Sequence, residues 1–412
     1  MLSPPRFRLL PACRYLARRY LAHIVVPALA PVLLAGCSSS APTTPALSDE
    51  ALKAVIDDPG VNRERLARAV DALFRDSTDR QGGQQNGQPN GIPGETRAVL
   101  VMQGGRIVAE RYADGYHENT RLAGGGIVRA ITAVMIGMLV SDGRLRLNET
   151  APVPAWQRPG DPRGEITLRH LLQMRAGLRQ GPDDDARMLF GSGRDDMARA
   201  AEDQPLAAEP GAHWSGDDSD QVAGGDAGGA ASGVILADLA ARVLAPDGDP
   251  DARRRAVADY LRTRLFEPVA MRGIVASYDA GGMMNGGAMI DGTARDYARF
   301  GEFLRNRGAV HGAQLVPRQW IDFMASPSPR EKQYGAGVWL NREPTHGQAR
   351  LFPDQGPRDL IAALGEGGQV VLASPSRKLV VVRLGQDGPG ENPVLMARLA
   401  TLVGLFRPGA AD

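Results

Sequence analysis

Cysteine is almost missing from this 412-residue chain, which has only Cys13 and Cys37, both near the N-terminus. The body of the chain therefore has no disulfide framework, no thiolate nucleophile and no cysteine metal site. Lysine is also scarce. It occurs only at Lys53, Lys332 and Lys378, although Lys and Arg together number 48. Chemistry that needs a lysine base is confined to those three places. No sign of charge dominates, because the 47 Asp and Glu leave a formal net charge of +1. That balance gives no reason to expect nucleic acid or an acidic partner. What is present is ordinary for a globular protein: 43% hydrophobic and 23% charged residues, enough for a sizeable core.

The N-terminus reads as a targeting segment. Arg6, Arg8, Arg14, Arg18 and Arg19 form a basic region ahead of an apolar run over 24–34. That run is too short to span a bilayer comfortably as a helix. It ends in Leu34-Ala35-Gly36-Cys37, followed by three serines. This resembles a bacterial lipobox, whose cysteine is acylated and becomes the mature N-terminus. The expected organisation is a lipoprotein signal peptide over 1–36, then a tether, one helix and a low-complexity linker over 37–96, then one domain over 97–412. Lipidation of Cys37 implies a bacterial cell-envelope protein, lipid-anchored to a membrane and facing the periplasm.

Coarse patterning places the elements. Residues 61–75 carry Leu66, Val70, Leu73 and Phe74 at helical spacing. Residues 81–91 are rich in Gln, Gly and Asn and read as a linker. Residues 98–102 and 106–112, joined by Gln103-Gly104-Gly105, read as a β-hairpin. From Ile127 a helix apolar nearly all round should lie in the core, stopped by Asp142-Gly143. Thr167 is the expected N-cap of a helix over 168–174 and Asp249 that of one over 250–266, with another over 293–305. Residues 181–205 read as charged and irregular, with Asp183, Asp184 and Asp185 in a solvated loop. The glycine-rich stretch 223–233 should be frayed, since each glycine costs up to about 1 kcal/mol in a helix. Two β runs, 369–373 and 378–384, precede a last helix over 393–406.

Several segments, in order, carry a family resemblance. They are Asp142-Gly143-Arg144-Leu145, the run from Gly160 through Ile166-Thr167-Leu168-Arg169-His170-Leu171-Leu172 to Met174, and Pro210-Gly211-Ala212-His213-Trp214. Thr293 to Gly301 and Gly365-Glu366-Gly367-Gly368-Gln369 complete the set. Over roughly 97–405 the chain resembles the serine β-lactamase and penicillin-recognising superfamily. It is most like the class C-like esterases and amidases, which include 6-aminohexanoate-dimer hydrolases. The resemblance implies an α+β, β-lactamase/transpeptidase-like fold. An antiparallel sheet takes strands from both termini and is flanked by helices and a mainly helical region. The implied activity is serine hydrolysis without a cofactor or a metal.

In that family a serine attacks, a lysine one helical turn later takes part in proton transfer, and a tyrosine shares the acid/base work. Backbone N–H groups hold the oxyanion. Here the serine position falls on Gly126 and the lysine position on Arg129. The tyrosine position falls on Gly216 and the last basic position on Glu366. An arginine with a pKa above about 12 cannot act as a base. The chain contains no Ser-x-x-Lys, no Tyr-x-Asn and no Lys-Ser/Thr-Gly. Three readings stay open. One is a pseudoenzyme with an envelope-binding or scaffold role, whose ligand would be a peptidoglycan fragment or an envelope protein. Another is an enzyme with replaced machinery drawn from Arg129, His213, Ser215, Asp217, Asp218, Asp220 and Glu366. The third is an active hydrolase whose motifs align differently. Asp217 to Asp220 lack a full calcium-loop pattern and read as a solvated acidic loop. A buried arginine is costly unless paired, so Arg129 is expected to pair with Glu366 or an aspartate of 217–220.

Overall fold

The computed structural model describes residues 47–74, 94–179, 181–216, 229–347, 349–388 and 392–408. Cys37, Asp217, Asp218 and Asp220 lie outside them. Leu47 onward forms one compact unit. Its first elements are α1 (Asp49–Lys53), with Ser48 as N-cap, and α2 (Arg63–Phe74). The hairpin follows as β1 (Glu95–Gln103) and β2 (Arg106–Tyr112), turning through Gly104 and Gly105, both at positive φ. After β3 (Leu122–Ala123) come α3 (Val128–Ser141), α4 (Leu168–Leu172), α5 (Pro182–Phe190), α6 (Met197–Glu202) and α7 (Ala230–Leu244). The chain then forms α8 (Pro250–Leu261), a π-helical turn over 262–266, α9 (Glu267–Val269), β4 (Val275–Ala276), β5 (Ile290–Gly292) and α10 (Ala294–Arg305). A small hairpin, β6 (Ala309–Val310) and β7 (Ala313–Gln314), leads to α11 (Arg318–Met324). The last elements are β8 (Trp339–Leu340), β9 (Ile361–Gly365), β10 (Gln369–Ser374), β11 (Leu379–Gln386) and α12 (Asn392–Gly404).

The main sheet runs β2-β1-β11-β10-β9-β8, every pair antiparallel. The N-terminal strand β1 pairs with the C-terminal strand β11, with Leu100 opposite Val382. Its central strands are apolar on both faces because each face has its own core. Ala98, Leu100, Val380, Val382 and Val371 point into the core built on α3, α7 and α10. Their neighbours Val99, Val101, Val381, Val370 and Leu372 point into a second core with α2 and α12. The alternation follows from the two-residue period of a strand. The result is the α+β sheet-and-helix architecture expected from the sequence.

The two caps read from sequence hold: Thr167 accepts from His170 N (3.2 Å) and Asp249 accepts from Ala252 N (2.7 Å). Thr293 and Asp296 also cap each other at the start of α10. The first of these helices ends at Leu172 rather than 174, and Met174 adopts positive φ.

Two expectations are corrected. Residues 181–205 are not irregular, since they form α5 and α6. Pro182 opens α5, three aspartates complement the helix dipole in its first turn, and Asp196 caps α6 through Arg199 N (3.1 Å). Burial of Met188, Met197, Ala198 and Ala201 then fixes both helices. Residues 230–233 are not frayed either, because they are the buried first turn of α7. Residues 223–228 lie outside the described residues. A Cβ on Gly233 would come within 2.6 Å of Gly286 O and Gly287 Cα, and one on Gly287 within 2.2 Å of Ala230 O. Backbone therefore lies directly on backbone, and the glycines are there for that approach. Gly233→Ala is expected to cost about 1–3 kcal/mol through overpacking, read as a lower urea midpoint. A midpoint equal to wild type would mean that this contact is loose.

Candidate active site

The site is built where the start of α3 meets the end of β9. A 3-10 turn over Gly125–Ile127 leads into α3. Gly125 has φ +53, and a Cβ there would lie 2.3 Å from Glu366 Oε2. Across from it, a Cβ on Gly365 would lie 2.1 Å from Gly124 O and 2.9 Å from Gly126 N. Glycine on both sides lets the two backbones touch, and Glu366 leaves β9 directly over the helix start. Its Oε2 accepts the Gly126 N–H at 2.9 Å, and its Oε1 lies 3.7 Å from Arg129 Nη2. The expected Arg129–Glu366 pair is present.

The two partners differ in setting. The Arg129 side chain is 7% exposed and that of Glu366 is 43% exposed. At 3.7 Å and half in water, the pair contributes little by itself. Arg129 is held more firmly by Nε donating to Gly287 O at 2.8 Å. One turn along α3, Thr132 Oγ1 donates to Gly286 O at 2.9 Å. The glycine contact of α7 with 286–287 thus also positions the carbonyls that anchor α3.

Asp185 corrects another expectation, because it is not a solvated loop residue. Its carboxylate accepts from Gly229 N and Ala230 N at 3.2 and 3.3 Å, at the start of α7. Burial pushes its pKa up, while the Arg129 charge and the two N–H groups oppose that rise. Arg129 therefore lies in the field of two carboxylates, the partly exposed Glu366 and the half-buried Asp185. No local pattern pointed to Asp185, since its partners lie more than forty residues along the chain.

The remaining candidates are placed differently. Ser215 is 2% exposed, its N–H donates to Met174 O at 2.7 Å, and its Oγ has no hydrogen-bond partner among the described residues. A Cβ on Gly216 would strike the Trp214 ring at 2.1–2.5 Å. A tyrosine at that position could enter only if Trp214 moved, and Trp214 is packed against Tyr334 and Trp339. His213 is half-buried beside that cluster. Among the described residues no group of three or more His, Cys, Asp or Glu could hold a metal.

At this site Gly126 has no side chain to attack with. Arg129 keeps the positive charge and cannot take a proton. The Gly126 N–H is donated to the Glu366 carboxylate. A two-core α+β sheet fold with this helix start against the end of the inner strand β9 is the fold of the serine-hydrolase class that includes β-lactamases and penicillin-binding proteins. The Beta-lactamase family profile matches residues 71–405, and the chain belongs to that family. No curated protein matches the sequence. Solved structures share the fold at low identity. A Bacillus anthracis protein provisionally assigned as a 6-aminohexanoate-dimer hydrolase has 19% identity and a TM-score of 0.59, covering 87% of this chain and 97% of its own. A penicillin-binding protein homolog from Caulobacter crescentus has 15% identity and a TM-score of 0.56, with coverage of 84% and 98%. A penicillin-binding protein from Bacillus halodurans has 16% identity and a TM-score of 0.51, with coverage of 74% and 95%.

Proposed function

We propose that this protein is a non-catalytic member of the β-lactamase family, lipidated at Cys37 and held in the cell envelope, where it keeps the fold as a binding or scaffold module. The reading rests on one observation above all. The carboxylate of Glu366 takes the Gly126 N–H at 2.9 Å, while glycine and arginine stand at the serine and lysine positions. An acyl-transfer site needs a nucleophile, a base and an unoccupied oxyanion donor together. None of the three is available at the start of α3. Hydrolysis by replaced residues is disfavoured by the burial of Ser215, which leaves its Oγ almost out of reach of a substrate. The expected ligand is a peptidoglycan fragment or an envelope protein, in keeping with the anchor and the family. Among the described residues no helix is long and apolar enough to cross a membrane.

The catalytic half of the proposal is tested with β-lactams and a panel of p-nitrophenyl esters. Turnover is expected at the rate of the buffer blank. Turnover that disappears in Ser215→Ala would replace this reading with a rewired hydrolase. The lipid half is tested by metabolic labelling with a radioactive fatty acid. Label should enter the wild-type chain and be lost in Cys37→Ala, and label retained by the variant would refute attachment at that cysteine.

A further inference from the structure

We propose that the open cleft between α4 and α11 binds a small phosphate-bearing anion. The cleft has a volume of about 540 Å³, and Arg169, Gln173, Arg175 and Phe323 line it. That is room for a phosphorylated small molecule or a lipid headgroup. Arg169 lies flat over the Phe323 ring, its guanidinium carbon 4.7 Å from the centroid, with Nε donating to Asn148 Oδ1 at 2.9 Å. Arg175 donates from Nε to Gln173 Oε1 at 3.1 Å and from Nη1 to Gly211 O at 3.4 Å. Arg330 donates from Nε to the same carbonyl at 3.2 Å, which brings a third guanidinium beside Arg175.

These three cations lack counter-charges. No carboxylate of the described residues forms an ion pair with Arg169, Arg175 or Arg330, unlike Arg111, Arg163, Arg295 and Arg307, each of which has one within 4.0 Å. The acid at the cleft, Asp322, is committed to Arg307 at 3.1 Å. Burial first, and then the charges of Arg169 and Arg330, lower the pKa of Arg175. Burial, Arg175 and Arg169 push His170 down to about 4, so at neutral pH the imidazole adds no charge. Gln173 is 3% exposed, its Oε1 is taken by Arg175, and its Nε2 makes no hydrogen bond among the described residues. The Gln173 amide and the guanidinium groups of Arg169 and Arg175 thus line the cleft, with Arg330 beside Arg175, and the one lining carboxylate, Asp322, is paired with Arg307. Guanidinium groups pair with phosphate oxygens through parallel N–H bonds. Three of them offer more donors than the two oxygens of a carboxylate accept, which favours a phosphate with three terminal oxygens.

The test uses the full-length chain in zwitterionic detergent at low ionic strength, titrated with inorganic phosphate and with glycerol 3-phosphate by calorimetry. Binding is expected. Arg169→Gln and Arg330→Gln, both at solvent-accessible positions, should each weaken it about tenfold, the loss of one charged contact. Arg254→Gln, a distant surface arginine, should leave it unchanged. A second arm mixes the full-length Cys37→Ala chain with vesicles of phosphatidylcholine alone or with phosphatidylglycerol. Sedimentation that depends on Arg169 and phosphatidylglycerol would identify the source as a lipid headgroup. Binding of the soluble phosphates without such sedimentation would identify a free phosphate compound. No saturable phosphate binding up to about 10 mM, a range that already admits very weak sites, would overturn the proposal. Equal weakening by Arg254→Gln would overturn it as well.

Discussion

Replacing Arg129 with alanine is expected to cost about 3–5 kcal/mol of stability, the usual loss when one partner of a buried charged network is removed. Three things are lost together. Gly287 O loses its donor at 2.8 Å, half-buried Asp185 loses the cation that opposes its desolvation, and a cavity opens beside α3. Glu366→Gln is the informative companion. Glu366 is 43% exposed, and its amide oxygen could still accept the Gly126 N–H, so the cost should be at most about 1 kcal/mol. Arg129→Lys should fall between the two, because an ammonium keeps the charge but not the planar fork that reaches both Gly287 O and Glu366. Urea unfolding of the three variants gives the ranking. Equal costs for Arg129→Ala and Glu366→Gln would mean that Arg129 is held only by its exposed partner.

The second large effect is a pH dependence carried by Glu202. This residue is 8% exposed on its side chain and sits beside the fully buried Asp238, with Arg242 binding both. Its backbone carbonyl accepts the indole N–H of Trp156, the largest fully buried side chain. Burial, then the hydrogen bond and charge of Asp238, push the Glu202 carboxyl up to about 8, against a downward pull from Arg242. Its ordinary value is 4.5. Below 4.5 both folded and unfolded chains hold the proton. Between 4.5 and about 8 only the folded chain holds it, so stability falls as pH rises through this window. Above about 8 the full penalty is present. At about 1.4 kcal/mol per pH unit, the loss is of the order of a few kcal/mol. Glu202→Gln removes the titration and keeps an amide donor toward Asp238. The variant should gain about 1–3 kcal/mol over wild type at pH 8 and little at pH 5. Parallel stability profiles for variant and wild type would show that Glu202 does not hold the proton.

The parts of the fold that could be read from sequence are those set by local chemistry. The hairpin shows in the alternation of 98–112 around Gly104-Gly105, and the last two strands in their β-branched runs. The caps at Thr167 and Asp249 show in single side chains. The elements that were not foreseen depend on distant partners. Helices α5 and α6 are short and charged, and burial of Met188 and Met197 decides them. Gly233 looks like a helix breaker until Gly286 and Gly287 are seen lying against it. Helix α1 rests on its Ser48 cap and the burial of Ala51, a signal too short to stand out. The site divides in the same way. Family order brought Gly126, Arg129 and Glu366 to one place, and their geometry agrees. Asp185 and the Gly287 carbonyl were missed because long-range contacts alone bring them to Arg129.

On the proposed reading the start of α3 forms no acyl-enzyme. Intact-mass spectrometry of the full-length chain, after long exposure to a fluorophosphonate probe and separately to a penicillin, decides this. An unchanged protein mass is expected with both reagents, at concentrations that fully label an active serine hydrolase run alongside. A stoichiometric mass increase with either reagent, mapped to a serine by peptide sequencing, would contradict it.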